Sequence, residues 1–384
     1  MSKVSMALSN YKVLQNTNLV TLPPLAILVG ANGTGKSTFF DAFAFLRDCL
    51  VHNVRKTLWD RGGFREVVSR GHENESIELW LKLPLTMDGR PCLASYHLEI
   101  AQKKSPFVSR ESLVCEELDG ATYPAFEFSM GRGYAVAEGV REEFELGSDD
   151  ILALKGLGQF RRFREAYALR KAIEGWHVFC LSIDAVRRAA GMGCPGEDEH
   201  LSPTGDNLRH VARRLWEEHP ERFARILDAM KIHVPELCSI IPHKTQDGRE
   251  LLQFGFGPGK DFWDSRVSRG TLALLAHLVL FGESSPHSLL CVDCPESHLY
   301  PGLLAELVEN FRAYADRGGQ VLIATHSSDL LNAVEPEEVF CFMRDKSGFA
   351  QIVRALDIPG VAVAMEKGES MGHLLEQGML CGTG

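Results

Sequence analysis

Three short, wholly apolar runs, at residues 25–29, 289–292 and 321–324, read as buried strands. Each stops abruptly at a polar feature: a glycine loop, a carboxylate, or a Thr-His pair. A second pattern is strict alternation. Residues 76–83 (Ser-Ile-Glu-Leu-Trp-Leu-Lys-Leu) alternate with period two, and 93–100 and 108–118 are similar, which predicts a small antiparallel sheet. Residues 251–256 alternate in the same way, and 10–14 and 19–22 read as two strands around a turn ahead of Pro23-Pro24. Helical spacing marks 38–46, the amphipathic stretch 160–171, a helix through Val211, Leu215 and Trp216, and one opening at Pro220 with Phe223, Ile226, Leu227 and Met230. Residues 272–281 are apolar nearly all round, broken only by His277, as suits a central helix. A helix over 302–314, strands at 339–343 and 352–356, and one tail helix within 370–379 complete the set. Strands alternating with helices predict an α/β core with a largely parallel sheet.

Composition narrows the class. The chain has 384 residues, 45% hydrophobic and 24% charged, an ordinary globular balance with length for two or three structural units. No apolar run reaches the ~18 residues that span a bilayer, and the first residues lack the apolar stretch of a signal peptide. The expectation is a cytoplasmic protein with no membrane contact. The net charge of −10 argues against a broadly basic nucleic-acid coat but not against a local patch. Arginines 161, 162, 164, 187, 188, 213 and 214 concentrate in one region. Solvated helix faces with glutamate partners are the plainer reading, and a surface for nucleic acid or a protein the sharper one. Cys180, Cys291 and Cys341 lie in apolar runs and read as buried thiols. Cys194 and His200 flank an acidic stretch, residues 196–199; a metal there needs more ligands than the sequence displays, and a solvated loop is the plainer reading.

The chemistry begins at Gly30-Ala31-Asn32-Gly33-Thr34-Gly35-Lys36-Ser37, which fits G-x-x-x-x-G-K-[ST] at every fixed position, with a buried strand before it and a helix after. Glycines let successive N–H groups turn into one hollow, and the following helix adds its positive end. The motif therefore predicts a nucleotide bound by Asn32, Gly33, Thr34, Gly35, Lys36, Ser37 and Thr38. Lys36 meets the β- and γ-phosphates, and the Ser37 hydroxyl faces Mg²⁺. A chance glycine turn is the alternative, and the flanking strand and helix weigh against it. In an open parallel sheet, ligands bind at the carboxyl ends of the strands. Asp293, ending an apolar strand, is then placed to hold Mg²⁺ directly or through water, with a cap or turn role as the alternative. His326, ending another, is placed to meet the γ-phosphate or the attacking water.

The order of motifs is P-loop, antiparallel insertion, helical insertion with Ser202-Pro203-Thr204-Gly205-Asp206-Asn207-Leu208, Ser268-Arg269-Gly270-Thr271, Asp293-Cys294-Pro295-Glu296, and Thr325-His326-Ser327. This order resembles the ABC-type ATPases of the SMC, RecF and OLD group. It is most similar to the short stand-alone AAA-family ATPases of bacterial defence and toxin–antitoxin-like cassettes. The resemblance implies a P-loop NTPase with an ABC-type core, an antiparallel β insertion and a helical insertion. The implied units are 1–148 (N-terminal lobe), 149–250 (helical insertion) and 251–384 (C-terminal lobe). It implies a homodimer or higher oligomer in which Ser268, Arg269 and Gly270 of one chain close on ATP held by the P-loop of the other.

Two positions depart from the family pattern. Arg269 stands where a small or acidic residue is common. Cys294 stands where a carboxylate normally orients the attacking water. A thiol of ordinary pKa is a poor substitute. Three readings follow: Glu296 takes over, hydrolysis is slow so that the protein acts as an ATP-dependent switch, or a partner completes the site; slow hydrolysis with Glu296, His326 and Lys36 as catalytic groups is favoured. The chain runs roughly 58 residues beyond His326, too few for a nuclease domain of the OLD type. The implied effector, a nuclease or toxin, then acts in trans, with the tail over 366–384 as a docking element. A RecF-like DNA-repair ATPase that binds duplex DNA directly is the alternative.

Overall fold

The computed structural model describes residues 4–87, 89–189 and 200–380. The chain opens with β1 (Ser5–Tyr11), β2 (Leu14–Asn16), β3 (Val20–Thr21) and β4 (Leu25–Val29), followed by α1 (Lys36–Val51), α2 (Val54–Asp60) and α3 (Phe64–Val67). Six strands follow: β5 (Ile77–Met87), β6 (Arg90–Gln102), β7 (Pro106–Glu117), β8 (Thr122–Ser129), β9 (Arg132–Ala137) and β10 (Val140–Glu145). Then come α4 (Ala153–Leu157), α5 (Arg164–Glu174), β11 (Trp176–Phe179), α6 (Ile183–Arg188), α7 (Leu208–Glu218) and α8 (Pro220–His233). Next are β12 (Ser239–Lys244), β13 (Glu250–Gly255), β14 (Asp261–Trp263), α9 (Arg269–Phe281), β15 (Leu289–Asp293), α10 (Leu304–Asp316) and β16 (Val321–Ala324). The chain closes with α11 (Ser328–Leu331), β17 (Val339–Arg344), β18 (Ala350–Arg354), α12 (Val361–Glu366) and α13 (Met371–Glu376).

The site rests on a six-stranded sheet in the order β11-β15-β16-β4-β17-β18, parallel from β11 to β17 with β18 antiparallel at the edge. Side chains alternate across a strand, and here both faces are buried. Ala26 and Leu28 of β4, Leu289 and Cys291 of β15, and Leu322 and Ala324 of β16 join one core with α1. Leu25, Ile27 and Val29, Leu290 and Val292, and Val321 and Ile323 join a second core with α7, α8, α9 and α10. Two buried faces explain why these strands read as unbroken apolar runs rather than alternations.

The antiparallel sheet is not small. Nine strands form it, in the order β10-β9-β8-β7-β6-β5-β1-β2 with β3 also on β1, so the chain's opening strands belong to it. The expected strand over 10–14 is broken: Asn10 and Lys12 adopt φ of 57° and 53°, and the chain folds back to pair Tyr11 with Leu14. β8 to β10 escaped prediction because their outer residues are largely solvent-facing and their apolar alternation is weak. The stretch 149–250, expected to be helical, also holds β12 and β11, a four-residue strand that extends the central sheet. The helix expected over 160–171 begins at Arg164 and runs to Glu174. The tail helix expected within 370–379 forms as α13 (Met371–Glu376), with the short α12 before it, and Met371, Leu374 and Leu380 are buried in the second core. The tail is thus built into the fold, and its apolar face is already used. Cys291 and Cys341 are buried as expected, whereas Cys180 is exposed, one residue past β11 at the open end of the sheet.

Candidate nucleotide site

The strand β4 delivers the P-loop at the carboxyl edge of the central sheet. Gly30, Gly33 and Gly35 take φ of 153°, 77° and 108°. At Gly30 a Cβ would lie 2.4 Å from the Phe342 carbonyl oxygen, so a side chain has no room there. The buried Lys36 turns its ammonium into the loop, where Nζ donates to the carbonyls of Gly30 (2.7 Å) and Ala31 (3.1 Å). Thr34 is buried and ties its hydroxyl to the Ala31 carbonyl, while Asn32 and Ser37 are exposed and Thr38 half-buried.

Asp293 meets this loop from the end of β15. The Ser37 hydroxyl donates to Asp293 Oδ2 at 2.9 Å, joining residues that lie far apart in sequence. Neighbouring oxygens on a Mg²⁺ octahedron also stand about 2.9 Å apart, so the pair fits Mg²⁺ in spacing and in donor type.

Cys294 and Glu296 divide the next positions. Cys294 has φ of 51°, donates its N–H to the Ala324 carbonyl, and lies with Sγ 3.5 Å from Asp293 Oδ1. Burial and the charges of Glu296 and Asp293 push its thiol up to about 12, so at neutral pH it stays protonated and is no base. Glu296 crosses to the next strand end: Oε1 accepts from the Thr325 hydroxyl (2.8 Å) and the His326 N–H (3.1 Å). Its other oxygen, Oε2, is buried without a hydrogen-bond partner among the described residues. A carboxylate anchored on one side with a vacant acceptor on the other suits the positioning of a water. The His326 ring is depressed below its usual pKa, first by burial and then by the Lys36 charge.

The structure thus brings together Lys36, Ser37, Asp293, Cys294, Glu296 and His326. Ser268, Arg269 and Gly270 have partners of their own. The Ser268 hydroxyl caps α9 by accepting from the Thr271 N–H (3.1 Å), and Arg269 donates to Asp184 (2.9 Å). Gly270 abuts the His298 carbonyl, which a Cβ would approach to 2.8 Å. The helix starts at Arg269, earlier than its apolar pattern indicated.

Two contributions were invisible in sequence. Arg344, at the end of β17, donates to the Gly33 carbonyl at 2.9 Å and braces the loop. Thr325 was legible only as a strand end, and its role as the Glu296 anchor was not.

The family described as "AAA domain, putative AbiEii toxin, Type IV TA system" matches residues 25–87 and 149–332. This chain belongs to that family. The unmatched segment between the two blocks holds β6 to β10, most of the outer sheet. Among solved structures, the fold is similar to an SMC head crystallised with the C-terminal winged-helix domain of ScpA, with TM-score 0.52, 12% identity, and 91% of this chain and 96% of that one covered. It is also similar to the SMC head with an extended coiled coil, bound to the C-terminal domain of ScpA derived from Pyrococcus furiosus. There the TM-score is 0.50 at 12% identity, covering 96% of this chain and all of that one. At such identity the likeness shows that the chain shares the fold of the SMC head and nothing more. No curated protein sequence matches the chain.

Proposed function

We propose that this protein is a slowly hydrolysing ATPase that dimerises head to tail around ATP and uses the closed dimer to control an effector protein, a nuclease or toxin. The observation that carries the reading is the meeting of the Ser37–Asp293 pair with the Glu296 carboxylate at one edge of the sheet. Ser37 and Asp293 would hold Mg²⁺, which neutralises phosphate charge. Lys36 binds the phosphates. Glu296 orients the attacking water through Oε2, and His326 stands beside it as a neutral imidazole. The protonated Cys294 leaves the site one carboxylate short, which supports slow turnover.

Ser268 to Gly270 begin a helix whose positive end suits the γ-phosphate of a second copy. The RecF-like alternative gains little support from the arginines. Arg162 pairs with Glu142, Arg213 with Glu217 and Glu250, Arg214 with Glu218, and Arg187 with the Val267 carbonyl.

Light scattering with Mg·ATP tests the pairing. Glu296→Gln should dimerise with ATP, and Lys36→Ala and Ser268→Arg should each stay monomeric. Mixing the two monomeric variants should restore turnover, because one of the two shared sites is then intact. Turnover by Ser268→Arg alone, or no recovery on mixing, would contradict the head-to-tail arrangement.

A further inference from the structure

At the end of the central sheet opposite the P-loop, three segments bring metal-binding side chains to one point. His200 lies in the loop before α7, Glu283 lies two residues past α9, and His287 lies two residues before β15. One donor atom of each lies within 4.8 Å of the other two. We propose that His200, Glu283 and His287 form a metal site of the zinc type, with water as the fourth ligand.

Two imidazoles and one carboxylate are a donor set that Zn²⁺ takes while keeping one open position. The spacing agrees. Tetrahedral ligands at about 2.0–2.1 Å from zinc stand roughly 3.4 Å from one another. His287 Nε2 is 3.3 Å from Glu283 Oε2, and His200 Nδ1 is 2.8 Å from the same oxygen, so only a small opening admits the ion.

The second observation is an unsatisfied atom. His287 is 9% exposed, and its Nε2, facing the carboxylate, has no hydrogen-bond partner among the described residues. A buried polar nitrogen left in this way is costly, and coordination removes the cost. The His287 ring lies with its centroid 4.4 Å from that of His200 and stacks on His177 at 4.5 Å. A divalent ion at this point supplies the buried Glu283 carboxylate with a counter-charge.

Outer contacts orient the set, as ligating groups require. Glu283 Oε1 accepts the Leu201 backbone N–H at 3.0 Å, and the His287 backbone N–H donates to the Tyr314 hydroxyl at 2.8 Å. The role is structural: the ion clips the loop leading into α7 onto the C-terminal end of α9, whose other end carries Ser268. The acidic stretch 196–199 and Cys194 lie outside the described residues and are not part of the proposed ligand set.

The test uses the full chain, free of any histidine tag. Metal content is measured after purification, and chelator-stripped protein is titrated with Zn²⁺ against a fluorescent chelator. About one zinc per chain should bind, tighter than roughly 1 µM. His200→Ala and His287→Gln should each weaken binding by about tenfold or more. Zn²⁺ should raise the melting temperature of the wild-type chain but not of the variants. If His287→Gln fails to fold, the half-buried His200→Ala decides. Absence of saturable Zn²⁺ binding by the folded wild-type chain, or undiminished binding by His200→Ala, would overturn the proposal. Nucleotide binding does not enter any of the three readouts.

Discussion

Cys294 is held at φ 51° directly after Asp293, with its thiol pushed up to about 12. Thiolate is the form that reacts with alkylating agents. At pH 8 its ionised fraction should be about a thousandfold below that of a cysteine of pKa near 8.5. Mass spectrometry after brief iodoacetamide treatment at pH 8 should therefore find Cys294 unmodified, and rapid labelling would contradict the protonated assignment. Glu111 shows the same upward shift in a carboxyl group. It is wholly buried, accepts from the Tyr96 hydroxyl and from the N–H groups of Ala153 and Leu154, and burial raises its pKa from 4.5 to about 7. Between those values the folded chain binds a proton that the unfolded chain has released. Its contribution is therefore complete below pH 4.5 and is lost as pH rises through 7. The loss amounts to about 3 kcal/mol. Glu111→Gln should flatten the pH dependence of urea denaturation between pH 5 and 7, and an unchanged slope would count against the assignment.

Among the elements, α9 shows how a helix is aimed. Its apolar surface is buried nearly all round, and its first turn is set by the segment before it. Asp264 and Arg209 form a buried ion pair there, and Arg209 also donates to the Ala189 carbonyl. Removing one partner strands the other's charge. Asp264→Ala should cost about 3–5 kcal/mol in chemical denaturation. Pairing it with Arg209→Met should recover much of the loss, whereas a small loss in the single variant would mean that Arg209 reaches water.

The elements that sequence disclosed best are those with one dominant physical cause. β4, β15 and β16 are buried on both faces, and their ends were legible because an apolar run gives way sharply to Gly30, Asp293 and His326. β8 to β10 have one wet face and little alternation, and β11 is too short to carry a period. Within the site, the P-loop, Asp293 and His326 were legible as strand ends, and Glu296 only through the family pattern that Cys294 breaks. The Glu296–Thr325 bond, the Arg344 brace and the His200–Glu283–His287 cluster were not. Each joins segments whose separation no spacing rule encodes.

For the whole molecule, two sheets share the work. The outer nine-stranded sheet and the central sheet enclose α1, so the P-loop helix is fixed from both sides. The second core ties α7 to α10 and the tail to the other face. Truncating the tail at residue 366 removes Met371, Leu374 and Leu380 from that core, so loss of an effector after truncation would not separate docking from unfolding. The measurement that bears most directly on function is steady-state ATP turnover by the purified chain, beside Glu296→Gln and Lys36→Ala. Wild-type turnover should be slow, Lys36→Ala should abolish it, and Glu296→Gln should lower it by on the order of a hundredfold while ATP still binds. Full turnover in Glu296→Gln would show that another group activates the water and would contradict the role given to this carboxylate.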